Sequence, residues 1–282
     1  MNKANQHTYI RAKDFLVTGE SFNLLLDEER EMLITSPKPD DEDLGRYYES
    51  ENYISHTDSE TGLMANVYQR VKKYSLNLKC RLIKKMSGGT GSLLDIGAGT
   101  GDFLKLAEEY HWEITGVEPN DVARENAEKK GIKLYTKLDK ITNTHFDVIT
   151  LWHVLEHLPN LQEDIEKIER LLKPGGSLII AVPNYKSFDA KYYKEFWAAY
   201  DVPRHLWHFS RKSMQNLFSD NLTLERSKPM LFDSFYVSLL SEKYKSGKTF
   251  SIKALFVGLW SNLLALLSKE SSSIIYCYRK SK

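Results

Sequence analysis

The chain has 282 residues, 41% of them hydrophobic, which is enough apolar mass for one large or two modest domains with a sizeable core. Lysine plus arginine (39) nearly balance aspartate plus glutamate (38), so no global field steers the chain to nucleic acid or to an anionic surface. The two cysteines, Cys80 and Cys277, exclude a disulfide framework and a cysteine-built metal site, and they suit a reducing compartment, so a cytoplasmic location is expected.

The first twenty residues lack the apolar core of a signal peptide, and no run of about 18 apolar residues is present to span a bilayer. Between Glu20 and Glu60 there are 13 acidic and 3 basic residues. Ser36-Pro-Lys-Pro39 followed by Asp40-Asp-Glu-Asp43 reads as an extended segment and then a helix start with acids in its first turn. Residues 1–62 are expected to form a small irregular appendage. Leu63, Val67, Val71, Tyr74, Leu78, Leu82 and Met86 recur at helical spacing, predicting one apolar stripe on a long helix that leads into the Gly-rich linker ending the 63–91 segment. The opposite face carries Arg70, Lys72, Lys73, Lys79, Arg81, Lys84 and Lys85 and reads as a solvated surface.

From Ser92 onward, short β-rich runs alternate with helical stretches. Strands are predicted at Leu93–Ile96, Ile114–Val117, Ile132–Tyr135, Val148–Leu151 and Leu178–Val182, with helices near Asp102–Tyr110, Asp121–Lys130 and Asn160–Leu172. Right-handed crossovers make this a doubly wound α/β sheet, whose ligands bind beyond the carboxyl ends of the strands. Leu93-Leu-Asp-Ile-Gly-Ala-Gly-Thr-Gly-Asp-Phe-Leu104 is a strand, a glycine turn and a helix start. Gly97, Gly99 and Gly101 permit a sharp turn and close approach of a ligand to the backbone. Asp102 stands where a dinucleotide site would place its third glycine, and a carboxylate there opposes a diphosphate. Asp95 in the strand points instead to a ligand with a positive group, and Glu118, 21 residues after Gly97, stands at the offset of a ribose-binding acid.

Leu151-Trp-His-Val-Leu-Glu-His-Leu-Pro159 follows the fourth strand and gathers His153, Glu156 and His157 at the expected ligand end. Histidine, which titrates near neutrality, is the natural base for an acceptor that must lose a proton. The insertion at 184–209 is crowded with aromatic residues, Tyr200 and Trp207 among them, and reads as a lid over an apolar or aromatic acceptor, with a small satellite core as the alternative. Residues 252–267 form a strongly apolar helix too short to span comfortably. They suit packing on the protein, a homodimer contact, or attachment to a membrane surface.

The runs LLDIGAGTGDFL, ITGVEPN, FDVITLWHVLEHL and LLKPGGSLIIAVPN resemble the ordered motifs of the class I S-adenosylmethionine-dependent methyltransferases. The resemblance implies a Rossmann-like, doubly wound seven-stranded sheet over 92–282, closed by an antiparallel hairpin of Leu222–Arg226 and Ile274–Arg279. It also implies S-adenosyl-L-methionine as cofactor and S-adenosyl-L-homocysteine as product. Asp95, Gly97, Ala98, Gly99, Gly101 and Phe103 would hold the methionine part, Glu118 and Pro119 the ribose, and Trp152 would line the same pocket. The segment after Tyr135 would meet the adenine, with Asp139 read as a loop residue. The Arg204-His-Leu-Trp-His208 segment resembles the acceptor side of small-molecule enzymes near the ubiquinone and menaquinone O-methyltransferase group. That resemblance adds His205 and His208 to His153 and His157 as catalytic candidates, and Arg204 to Tyr200 and Trp207 as substrate contacts. The leading reading is methyl transfer to an oxygen or nitrogen of a small molecule, with no metal. Its rivals are a catalytically idle cofactor-binding protein and a metal-assisted RNA 2′-O-methyltransferase, whose resemblance implies a cluster of Glu156, His157 and His208. Residues 15–48 resemble a segment that carries a zinc knuckle in some relatives. Asp27 and Arg30 replace its ligands here, so the shape is expected to persist without zinc.

Overall fold

The computed structural model describes residues 6–40, 43–48, 63–142 and 144–282. Asp41, Glu42 and the side chains of Leu63 and Val67 lie outside this set. The appendage is more regular than its composition suggests. β1 (Gln6–Lys13), β2 (Ser21–Asp27) and β3 (Met32–Ser36) form an antiparallel meander. Alternate residues of β2, Phe22 and Leu24, face inward as a strand's two-residue period requires. Carboxylates close its turns: Asp27 Oδ1 accepts from the Arg30 amide at 3.0 Å, and Asp14 accepts from the amides of Leu16, Val17 and Thr18.

A long helix, α1 (Leu63–Ser87), leads into the second sheet. Its buried face is Cys80, Leu82, Ile83 and Met86, whereas Tyr74 and Leu78 are exposed. The predicted stripe is therefore correct only in its last turns. The helix is rotated so that the Lys79 stem packs on aromatic rings, and Tyr74 meets Phe232 edge to face.

The chain continues through β4 (Ser92–Ile96), α2 (Asp102–Glu109), β5 (Glu113–Val117), α3 (Asp121–Glu128), β6 (Phe146–Trp152), α4 (Leu161–Leu171) and β7 (Leu172–Pro183). After α5 (Phe188–Tyr193), β8 (Trp207–His208) and α6 (Arg211–Gln215) come β9 (Leu222–Pro229), α7 (Asp233–Ser246), α8 (Ile252–Ser268) and β10 (Ser273–Lys280). The sheet order is β5-β4-β6-β7-β10-β9, parallel from β5 to β7 with β10 and β9 antiparallel, so among the described residues it has six strands and not the expected seven. The expected strand at Ile132–Tyr135 reduces to a single bridge between Val117 and Tyr135. Ile132 turns into the core there, while Lys133, Tyr135 and Thr136 stay exposed at the sheet edge. Leu93, Val148, Ile179 and Cys277 bury one face of the sheet against α1 and α2, and Leu94, Ile149, Leu178 and Tyr276 bury the other against α4. Both faces are covered, which accounts for the near-continuous apolar strands.

The aromatic insertion builds a core. Tyr185, Tyr193, Trp197 and Tyr200 are buried with Phe22, Leu24 and Leu33 of the N-terminal sheet. β8 extends that sheet by pairing with β3, Leu33 opposite His208 and Ile34 opposite Trp207. The N-terminal sheet therefore presses directly on the histidine-rich segment.

Candidate active site

β4 and β6 end side by side, and the chain leaves β4 through the glycine turn. The amides of Gly97 and Ala98 both donate to the Val117 carbonyl, at 2.8 and 2.9 Å, which ties the turn to β5. Gly97 has a left-handed φ of 72°, and a Cβ there would stand 2.3 Å from Val154 Cγ2, so the protein's own packing demands this glycine. Gly99, with φ 54°, has no atom within 4 Å of the same position. Its outer side is open to a ligand. Gly101 faces Ala127 and Ile132 and serves helix packing.

Glu118, at the end of β5, accepts from the Gly99 amide through Oε2 and from the Asn120 amide through Oε1, each at 2.9 Å. Each oxygen keeps a lone pair for a hydroxyl. Pro119 is exposed at the rim. Asp95 is 2% exposed and accepts from Thr150 Oγ1 at 2.6 Å. Burial pushes its carboxyl up to about 7, against the pull of Thr150 and Lys79. The Lys79 ammonium sits 4.4 Å over the Trp152 ring, and the charges of Asp95 and Asp233 both act on it, while burial pushes its pKa down. Phe103 meets Trp152 edge to face at 5.7 Å, and the buried Trp152 Nε1 has no partner. The open side of Gly99, the spare lone pairs of Glu118 and the orphaned indole donor fit a ligand carrying ribose hydroxyls and a zwitterionic end. Asp139 is exposed in a short 3-10 turn, Leu138–Lys140, and pairs with Lys167 at 2.9 Å.

Beyond β6, His153 takes a left-handed φ of 58° and its amide donates to the Ala181 carbonyl, so the chain turns sharply and sends Glu156 and His157 inward. His153 Nε2 lies 3.0 Å from Asp233 Oδ2, and its Nδ1 lies 3.3 Å from Glu156 Oε1. Burial disfavours its charge, but the two carboxylates outweigh that and raise its pKa to about 10. The two carboxylates favour its imidazolium form, so His153 is suited to brace Glu156 rather than to take the proton-accepting role that the sequence offered it. His157 is the reverse case: burial first, then His205, pushes its pKa down to about 4. Its neutral ring donates from Nδ1 to the Arg204 carbonyl at 3.1 Å, with the Tyr48 hydroxyl 3.3 Å from the same nitrogen. His205 Nδ1 donates to the Ala199 carbonyl at 2.9 Å. His157 thereby presents Nε2 as an acceptor, while His205 Nε2 lies 3.9 Å from Asp201 Oδ2.

One ligand atom each from Glu156, His157 and His205 lie within 4.8 Å of one another, and Glu156 Oε2 is buried without a partner. This trio has the donor set of a divalent-metal site. The leading reading from sequence assigned no metal, and its RNA-modifying rival used His208 as the third member. His208 is instead turned to the Thr35 hydroxyl, 3.1 Å from its Nε2, and Thr35 Oγ1 donates to the His205 carbonyl at 2.6 Å. Burial holds the His208 pKa well below its ordinary value.

The expected substrate contacts belong to the fold. Arg204 is 1% exposed and is consumed by Asp14 at 2.9 Å, Asp201 at 2.7 Å and the Tyr47 carbonyl at 2.8 Å. Tyr200 is buried in the aromatic core, and Trp207 Nε1 donates to the Leu158 carbonyl at 2.8 Å. Sequence reasoning missed Lys79, Asp233 and Thr35. The basic run without an acid around Lys79 was a usable signal, while Asp233 and Thr35 carry none.

Residues 68–221, more than half of the chain, match the family model described as a methyltransferase domain, and the chain belongs to that family. The ubiquinone biosynthesis O-methyltransferase of Yersinia pestis (strain Pestoides F) is 30% identical over 119 residues, covering 38% of this chain and 49% of that protein. The chain thus spans about half the length of the curated relatives it matches. Among solved structures, the plantazolicin methyltransferase BpumL in complex with SAH superposes with a TM-score of 0.54 at 16% identity, covering 85% of this chain and 94% of that one. Coclaurine N-methyltransferase bound to N-methylheliamine and SAH gives 0.50 at 16%, covering 73% and 72%. The fold is that of the class I methyltransferases.

Proposed function

We propose that this chain binds S-adenosyl-L-methionine at the glycine turn and transfers its methyl group to an oxygen or nitrogen of a small apolar acceptor. The observation that carries the reading is the open side of Gly99 beside the spare lone pairs of Glu118. Glu118 would hold the ribose hydroxyls, Asp95 the amino group and Lys79 the carboxylate of the methionine part. When bound, the cofactor supplies the methyl group as an electrophile, so orientation and exclusion of water supply most of the acceleration. Nε2 of His205, 3.9 Å from the Asp201 carboxylate, accepts the proton that a hydroxyl or ammonium acceptor loses. The His153 imidazolium, braced by Asp233, fixes the Glu156 carboxylate beside that ring. Calorimetric titration tests this: S-adenosyl-L-methionine and S-adenosyl-L-homocysteine should bind one per chain, more weakly in Lys79→Met. No binding would overturn this reading and the idle cofactor-binding one together, whereas binding without transfer to any acceptor would leave the idle one.

A second reading, metal-assisted transfer, rests on the buried, unpartnered Glu156 Oε2 in a trio whose ligand atoms lie within 4.8 Å of one another. A divalent ion held by Glu156, His157 and His205 would lower the pKa of an acceptor hydroxyl. Elemental analysis of the purified protein decides between the readings. A stoichiometric transition metal that His205→Gln loses favours this one, and a metal-free protein with full transfer activity favours the first.

A further inference from the structure

Helix α8 packs on α7 through small residues. Ala254, Val257, Gly258, Ser261 and Ala265 are buried, and a Cβ on Gly258 would stand 2.9 Å from the Ser234 carbonyl oxygen. Its other side is bare. Phe256, Leu259, Trp260, Leu263, Leu266 and Leu267 are all exposed, Leu267 by 87%. Together with Ile252 they fall within an arc of about 120° and a length of about 22 Å, at roughly 100° and 1.5 Å per residue. So long a bare apolar stripe on a soluble fold marks an interaction face.

Charge identifies what covers it. Residues 241–282 hold 8 basic and 2 acidic side chains. Both acids are engaged internally: Glu242 is buried, and Glu270 accepts from Asn184 Nδ2 at 2.7 Å. Exposed Lys248 stands at one end of the stripe, beside Lys253, whose ammonium lies 3.8 Å from Glu242 Oε2, and exposed Lys269 stands at the other. A two-fold contact with a second copy would bring lysines of like sign together, whereas anionic headgroups would neutralise them. None of the described helices is long and apolar enough to cross a membrane. We propose that the outer face of α8 docks the protein in the plane of an anionic lipid bilayer, apolar side chains among the acyl chains and lysines among the headgroups.

The face also reaches the active site. The Leu231 carbonyl accepts from Asn262 Nδ2 of α8 at 2.9 Å, and exposed Leu231 and Phe232 lead from there to Asp233, the partner of His153. An amphiphilic acceptor drawn from the bilayer would therefore arrive at the histidine end. That delivery rests on the methyl-transfer reading, and the docking does not.

The test is co-sedimentation of the full chain with vesicles of phosphatidylcholine alone or mixed with phosphatidylglycerol, beside light scattering and cofactor calorimetry. Binding should be at least tenfold stronger to the anionic vesicles, fall as salt is raised from about 0.1 to 0.5 M, and fall at least tenfold in Leu267→Glu and in Phe256→Glu. Cofactor affinity and melting temperature should be unchanged in Leu267→Glu. Failure to bind anionic vesicles, or binding indifferent to both substitutions, overturns the proposal. So does a dimer that Leu267→Glu dissociates, which would assign the face to a second copy. Vesicle binding without cofactor binding would sink the methyl-transfer reading and leave the docking intact.

Discussion

Replacing Glu118 with alanine separates ligand binding from folding, because under the proposed function its carboxylate would serve the ligand with lone pairs other than those that hold the Gly99 and Asn120 amides. Two charge-assisted hydrogen bonds to ribose hydroxyls contribute about 1.5–3 kcal/mol each before water replaces part of them. The side chain is only 9% exposed, so that replacement is partial. The net loss is then about 1.4–4 kcal/mol, or tenfold to roughly a thousandfold in cofactor Kd. Folding loses less. The Gly99 and Asn120 amides lose their acceptor, and with water able to reach them the cost is about 1–2 kcal/mol, lowering Tm by about 2–8 °C in a chain of this size. Calorimetry and thermal melting of the wild type, Glu118→Ala and the control Asp139→Ala check both numbers. A Kd change below about threefold in Glu118→Ala, or an equal loss in Asp139→Ala, would refute the assignment.

The two glycines at the turn should respond differently. Gly97→Ala forces a methyl against Val154 and adds about 1–3 kcal/mol of overpacking to the strain of a left-handed φ, whereas Gly99→Ala meets no atom and should cost only that strain, about 1–2 kcal/mol, yet weaken cofactor binding strongly. The opposite order in melting and calorimetry would contradict the packing. Asp95 gives a pH dependence. Its carboxyl is raised from 3.8 to about 7 on folding, so its burial costs nothing below about pH 4 and progressively more as pH rises towards and through 7. Asp95→Asn removes that cost, and the melting-temperature gap between the variant and the wild type should move in the variant's favour from pH 5 to about pH 7 and level off above it. A pH-independent gap would contradict the burial argument. Arg204→Met breaks a fully buried pair, leaves Asp14 uncompensated and should cost about 3–5 kcal/mol. A variant that melts like the wild type would return Arg204 to the substrate side.

What was legible in the sequence was what the backbone alone determines. The glycine turn, Asp95 before it and Glu118 after it sit where strand–turn–helix geometry must place them, and the parallel strands announced themselves as apolar runs. Long-range pairing was not legible. β3 meets β8 from the far side of the chain, so nothing local marks Thr35 as the residue that fixes His205 and His208. Aromatic density between Tyr185 and Phe209 could not separate a lid from a core, because both need the same residues. Only the N-terminal sheet packed against it decides. The stripe on α1 was misplaced because a lysine with a long apolar stem took the inward place that Leu78 seemed to hold. The charge of His153 depended on Asp233, 80 residues away.

The most direct test of the account is native mass spectrometry of the purified chain before and after addition of S-adenosyl-L-methionine. The account predicts one cofactor or one S-adenosyl-L-homocysteine per chain in the wild type and a bare chain in Glu118→Ala at the same concentration. A wild-type chain that stays bare at saturating cofactor while folded would contradict it.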